Sequence, residues 1–134
     1  MLLPKKIKHR KQHQRKFRQV TKRGSTLEFG NFGLKVMGAT WISSRQLEAA
    51  RRAMTRYVQR QGKIWIRVFP DSPITQKGAE VPMGKGKGSV DHFVAAVSPG
   101  RIIFEIGGIE KEIAEIALKR AGDKISAKTK VISK

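Results

Sequence analysis

The sequence has no cysteine, few acidic residues and no long apolar segment. The absence of cysteine from its 134 residues excludes disulfide bonds, cysteine-ligated zinc and thiol catalysis together. No apolar run approaches the roughly 18 residues that a membrane-spanning helix needs. The basic N-terminus also lacks the apolar region of a signal peptide, so we expect residue 1 to belong to the working protein.

Acidic residues are heavily outnumbered by basic ones. Lys and Arg number 29 and Asp and Glu 10, which gives a formal net charge of +19 and an isoelectric point near 11.1. A domain of this size repels itself at that charge unless a polyanion neutralises it. Nucleic acid and an anionic membrane are the obvious polyanions. The chain's basic start lacks the apolar face of an amphipathic membrane helix, which argues against the membrane.

Residues 1–24 are predicted to form a basic arm that RNA orders. Residues 1–23 hold ten Lys or Arg and no acid, and such a block cannot fold alone because it has too few apolar residues to bury. A solvated, disordered tail is the alternative. Phe17 is isolated among these basic residues, and we expect its ring to insert between nucleobases of the RNA. The predicted RNA contacts are Lys5, Lys6, Lys8, Arg10, Lys11, His13, Arg15, Lys16, Phe17, Arg18, Lys22 and Arg23.

Residues 25–134 are predicted to form a single α+β domain, a mostly antiparallel β-sheet sandwich with two helices. Pro99-Gly100 predicts that the apolar strands 92–98 and 101–106 form one hairpin. The second helix, 110–121, is expected to bury Ile113, Ile116, Ala117 and Ala121. A weak alternation over 124–133 predicts an edge strand.

The first helix is predicted over residues 43–61. Ser43 and Gln46 fit a capping box, and Gly62 stands where a helix stops. Leu47, Ala50, Met54, Tyr57 and Val58 form its apolar stripe. A second, basic face is typical of a phosphate-binding surface, although simple solvent exposure is the alternative. That face comprises Arg45, Arg51, Arg52, Arg56 and Arg60.

Residues 76–90 lack an apolar period and are predicted to form a long functional loop. Its glycines allow close approach to phosphates, and its lysines supply charge. A nucleotide-binding P-loop is excluded because the glycine spacing is wrong and the following segment is strand-like. The residues of interest are Pro82, Met83, Gly84, Lys85, Gly86, Lys87, Gly88 and Ser89.

No pattern indicates catalysis, a metal or a cofactor. His9 and His13 have helical spacing, but the surrounding cations would repel a metal. The carboxylates are scattered and show no paired arrangement. The aromatic residues are expected to pack mainly in the core, whereas Trp65, opposite Ile64 and Ile66 on its strand, faces solvent, RNA or the other layer of the sandwich. We therefore expect a protein that is not an enzyme.

Several segments, in the same order along the chain, resemble the bacterial large-subunit ribosomal protein numbered sixteen. They are MLLPK (1–5), RKQH (10–13), WISSRQLEAARRAM (41–54), GKIWIRVFP (62–70) and MGKGKG (83–88), and the likeness continues to Lys128-Thr129. The resemblance implies a cytoplasmic protein of the bacterial large subunit that binds ribosomal RNA and neighbouring ribosomal proteins, without forming a homo-oligomer. It also implies that the loop approaches tRNA in the A and P sites and that the protein joins late in subunit assembly.

One position departs from that family. The family usually carries an arginine immediately before the loop methionine, and here Pro82 stands there. Proline removes an amide donor and a bidentate phosphate ligand, so any tRNA contact of that arginine is in doubt. A free nucleic-acid-binding protein, such as a nucleoid protein or RNA chaperone, is the alternative function. That alternative accounts for the net positive charge but not for the family-like segments that follow one another along the chain.

Overall fold

In the described part of the chain, seven strands and two helices follow the basic N-terminal segment. The computed structural model describes residues 1–14, 18–78, 84 and 86–134. The strands and helices are β1 (Phe32–Val36), β2 (Thr40–Ser43), α1 (Ser44–Val58), β3 (Lys63–Ile66), β4 (Ser72–Gln76), β5 (Ser89–Val97), β6 (Ile102–Gly107), α2 (Lys111–Gly122) and β7 (Thr129–Ser133).

The strands form two antiparallel sheets. The larger has the order β3-β6-β1-β7, and the smaller has the order β2-β5-β4. Apolar residues from both sheets and both helices join one core, with Phe104, Leu34, Ile42 and Leu118 fully buried. The predicted α+β sandwich is therefore confirmed, and β7 is an edge strand as expected.

The two helices pack against each other and against the sheets. Helix α1 contacts β2 and β5, and α2 contacts β1, β6 and β7. The predicted capping box is present, because the Ser43 hydroxyl accepts from the Gln46 amide at 3.2 Å and the Gln46 side chain accepts from the Ser43 amide at 3.0 Å. Such a cap fixes where α1 begins and stabilises it by about 1 kcal/mol.

The helix α1 ends earlier than predicted. Val58 is its last residue, and Gln59 and Arg60 both adopt left-handed backbone, with φ of 53° and 64°. Gly62 does not stop the helix. It is required instead by a close approach, since a Cβ there would lie 2.5 Å from the Gly107 carbonyl oxygen. The consequence is that Arg60 lies beyond the helix rather than on its face.

The predicted hairpin at Pro99-Gly100 is wrong. Strands β5 and β6 belong to different sheets. The turn pairs with the end of β1 instead, because the Gly100 amide donates to the Val36 carbonyl at 2.6 Å and the Val36 amide donates to the Arg101 carbonyl at 2.9 Å. The segment thus carries the chain from one sheet to the other.

Two further expectations, about a side chain and a loop, also fail. Ile116 is 41% exposed, because the buried face of α2 carries Ala114, Ala117, Leu118 and Ala121, and Ile116 lies off that i, i+3, i+4, i+7 row. The loop that joins β4 to β5 is shorter than the predicted 76–90, since Gln76 and Ser89 already pair as strand residues.

Candidate nucleic-acid interface

The basic arm presents its charges to solvent. Every described Lys and Arg between residues 5 and 23 is exposed, as is His13, and among the described residues of the arm none of them forms an ion pair. Arg15, Lys16 and Phe17 lie outside the described residues. The basic residues of the arm that the structure describes are Lys5, Lys6, Lys8, Arg10, Lys11, Arg18, Lys22 and Arg23.

Both ends of the arm touch the folded domain. Leu2 packs against the core, and near the other end the Thr21 amide donates to the Pro99 carbonyl at 3.0 Å. The Ile102 amide donates to the Gly24 carbonyl at 2.8 Å. The arm therefore lies along the domain at these points, with its charged side chains turned outward.

The arginine face of α1 is a shallow cationic surface. Arg45, Arg52 and Arg56 are exposed, and Arg51 is half-buried. The second half of the helix and the turn after it form a groove of about 380 Å³, which Arg60 also lines from its position just after the helix. The groove is lined by Arg51, Arg52, Thr55, Arg56, Gln59 and Arg60. Guanidinium groups converging in this way suit phosphate oxygens, which accept two parallel hydrogen bonds from each.

One acidic residue partly neutralises the positive charge of this surface. Glu48 forms ion pairs with Arg51 and, at 3.2 Å, with Arg52. The hydrogen bond from Arg51 lowers the pKa of Glu48 to about 2 and raises the pKa of Arg51. Glu48 is therefore ionised at neutral pH and holds Arg51 in place, while Arg45 and Arg56 have no carboxylate partner among the described residues.

The glycine-lysine loop connects the hairpin strands β4 and β5. Pro82, Met83 and Lys85 lie outside the described residues. Gly84 and Gly86 have φ of 92° and 102°, a backbone that favours glycine. Gly88 lies against β4, where a Cβ would come within 2.7 Å of the Gln76 carbonyl oxygen. Ser89 is not a loop residue but the first residue of β5.

The loop and the arm touch each other through reciprocal hydrogen bonds. The ammonium of Lys87 donates to the Gln12 carbonyl at 2.6 Å, and the ammonium of Lys11 donates to the Lys87 carbonyl at 3.2 Å. Both lysines are exposed. The structure thus brings two of the predicted binding segments together, whereas the arginine groove is formed by α1 and its C-terminal turn alone.

A buried carboxylate is the main feature that the sequence did not reveal. Glu105 on β6 is fully buried, and one of its oxygens accepts from the amides of Glu28, Phe29 and Gly30, each at 3.0 Å. Its other oxygen accepts from Arg67 at 2.9 Å. Burial raises the pKa of Glu105, but the three amides and Arg67 outweigh that effect and lower the pKa overall. The carboxylate anchors the segment before β1.

Metal and membrane sites gain no support from the structure. Among the described residues, no group of three or more His, Cys, Asp and Glu is arranged to hold a metal ion. The His92 ring pairs with the Asp91 carboxylate at 2.7 Å. No helix in the described part of the chain has the length and apolar character to cross a bilayer.

Comparison with models of known protein families gives a match over nearly the whole chain. Residues 4–132 match the family described as ribosomal protein L16p/L10e. The match includes the arm from residue 4 onward, α1 and the glycine-lysine loop, so it reaches all three predicted binding segments.

Proposed function

The chain belongs to the ribosomal protein L16p/L10e family, and from this premise we propose that its basic arm and the arginine face of α1 bind large-subunit ribosomal RNA. The family consists of structural, non-enzymatic proteins of the large ribosomal subunit in the cytoplasm. Association with ribosomal RNA and with other ribosomal proteins follows from membership.

The arginine face of α1 gives the strongest support for RNA binding. Its exposed guanidinium groups, at Arg45, Arg52 and Arg56, are accompanied by a single carboxylate, Glu48, which is already engaged by its neighbours. A cationic surface with so little internal neutralisation gains free energy by releasing the counterions of a phosphate backbone. Double-stranded RNA is read mainly through its shape and its phosphates, which a rigid helix face matches.

The arm extends the same contact. With ten basic residues and no acidic one in residues 1–23, it adds positive charge that neutralises further phosphates. Because both ends of the arm contact the domain, its exposed side chains line the domain surface and bind RNA that packs against that surface. Its contact with Lys87 links it to the glycine-lysine loop.

We assign the glycine-lysine loop to the tRNA side of the interface, near the A and P sites. Pro82 offers neither an amide donor nor a guanidinium group, so electrostatic attraction to tRNA rests on Lys85 and Lys87. By the same family relationship, the protein works as one copy per subunit of a bacterial ribosome and joins late in assembly.

Sedimentation of a cell lysate through a sucrose gradient tests the proposal. With this protein detected in each fraction, we expect it in the large subunit and in assembled ribosomes at a salt concentration that strips loosely bound proteins. Recovery only in the light fractions, with intact ribosomes below, would overturn the proposal and favour a free nucleic-acid-binding protein.

A further inference from the structure

Phe29, just before β1, stacks against the half-buried Trp65 on β3 of the larger sheet. Their ring centroids lie 6.0 Å apart with an angle of 22° between the planes, so the rings are stacked in an offset manner. Phe29 is 57% exposed. An exposed phenylalanine held against a tryptophan is an apolar surface that neither the core nor the arginine face uses.

A groove of about 330 Å³ lies beside this pair. Both rings line it together with four glycines, Gly30, Gly62, Gly107 and Gly108. Because glycine has no side chain, the groove wall is flat backbone that a planar group can approach closely. Asn31 and Lys63 add polar atoms at its edge.

Cations flank the two rings. The Lys63 ammonium lies 5.5 Å from the Trp65 centroid, and the Arg67 guanidinium lies 5.4 Å from the Phe29 centroid. Arg67 is paired with Glu105, but Lys63 forms no ion pair within the described chain. A stacking surface with such a cation beside it suits a nucleotide, whose base meets the ring while its phosphate meets the ammonium.

Contacts within the chain hold the backbone of Phe29 and the ring of Trp65 in position. Glu105 accepts from the Phe29 amide at 3.0 Å and so fixes the backbone that carries that ring. The edge of the Trp65 ring lies against Gly107, where a Cβ would come within 3.3 Å of it. Rigid aromatic groups lose little conformational entropy on binding.

We propose that the Phe29–Trp65 platform stacks an unpaired base of RNA, with Lys63 contacting the adjoining phosphate. The proposal rests on the proposed function, because ribosomal RNA supplies the base. A protein partner is the other possible occupant. The net charge of +19 and the Lys63 ammonium favour a polyanion that also offers a π-face, which RNA does.

The test compares two anionic probes by fluorescence anisotropy. The full-length protein is titrated against a labelled short oligoadenylate and against an abasic ribose-phosphate oligomer of equal length, in salt that weakens phosphate contacts. Removal of one base stack corresponds to about a 5-fold to 150-fold weaker binding. We expect Phe29→Leu to weaken oligoadenylate binding by at least about five-fold, to leave abasic binding unchanged, and Phe29→Tyr to behave as wild type.

Phe69→Leu provides the matched control, since Phe69 is 45% exposed and is not part of the platform. Equal binding of both probes by the wild type, or an equal weakening on both in Phe29→Leu, would overturn the inference. So would a Phe29→Leu variant that binds both probes normally but leaves the large subunit, which would indicate a protein occupant. Failure of the proposed function is a separate result, because it appears as absence of the wild type from the large subunit.

Discussion

Replacing the three exposed arginines of α1 gives the most direct measure of the RNA contact. Glutamine at positions 45, 52 and 56 keeps helix propensity and removes three charges. Removal of one phosphate-binding charge lowers the slope of log K against log salt by about 0.7 to 0.9. Because all three side chains are exposed, we expect the slope to fall by about 2 to 3 if each meets one phosphate. Filter binding to large-subunit ribosomal RNA at several salt concentrations measures it.

The matched control removes the same charge from another surface. Lys111, Lys119 and Lys124 are exposed on α2 or just after it, and their replacement by glutamine also lowers the net charge by three. We expect a clearly smaller change in slope. Identical slopes for the two triple variants would refute the reasoning, because binding would then depend on total charge and not on the arginine face. Thermal unfolding of both variants checks that the fold is retained.

Three further predictions concern the arm and the two structural carboxylates. Deletion of residues 1–23 should weaken RNA binding and flatten its salt dependence, and an unchanged slope would exclude the arm from the interface. Glu105→Ala should lower the free energy of unfolding by about 3 to 5 kcal/mol, since Arg67 and three amides lose their partner, and urea unfolding measures this; a decrease below about 1 kcal/mol would contradict the assigned anchor role. The folded protein lowers the pKa of Glu48 to about 2, so the stability that Glu48 contributes is present above its unfolded pKa and is lost as the pH falls from about 4.5 to about 2. Glu48→Gln should therefore lose less free energy of unfolding between pH 6 and pH 2 than the wild type does. Equal losses in the two proteins would contradict this prediction.

Local features of the fold could be predicted because their causes are local. The capping box of α1 needs only Ser43 and Gln46, three residues apart, and both hydrogen bonds are present. The assignment of Pro99-Gly100 to a hairpin failed because the partner of that turn is Val36, which lies more than sixty residues earlier. Proline and glycine predict that the chain turns, but they do not say which strand it then meets.

In the candidate site, too, features with local causes could be predicted from the sequence and those set by distant residues could not. The described basic residues of the arm and Arg45, Arg52 and Arg56 are exposed, which phosphate binding and simple solvent exposure both require, so their RNA contacts stay a prediction. Glu105 was only one of several scattered carboxylates in the sequence. The backbone amides that it accepts from, those of Glu28, Phe29 and Gly30, lie more than seventy residues away, so no local pattern pointed to them.

The scarce acids explain how so basic a chain folds and still presents a cationic surface. A buried charge is tolerated only where it is paired and hydrogen-bonded, and Glu105 meets that condition with Arg67 beneath the Phe29 platform. Glu48, which is only partly buried, fixes Arg51 by an ion pair at the edge of the arginine groove. Each of these acids places one arginine in a defined position and leaves most of the surrounding positive charge uncompensated. The excess charge therefore lies at the surface, where a phosphate backbone supplies the neutralisation that the chain does not provide itself.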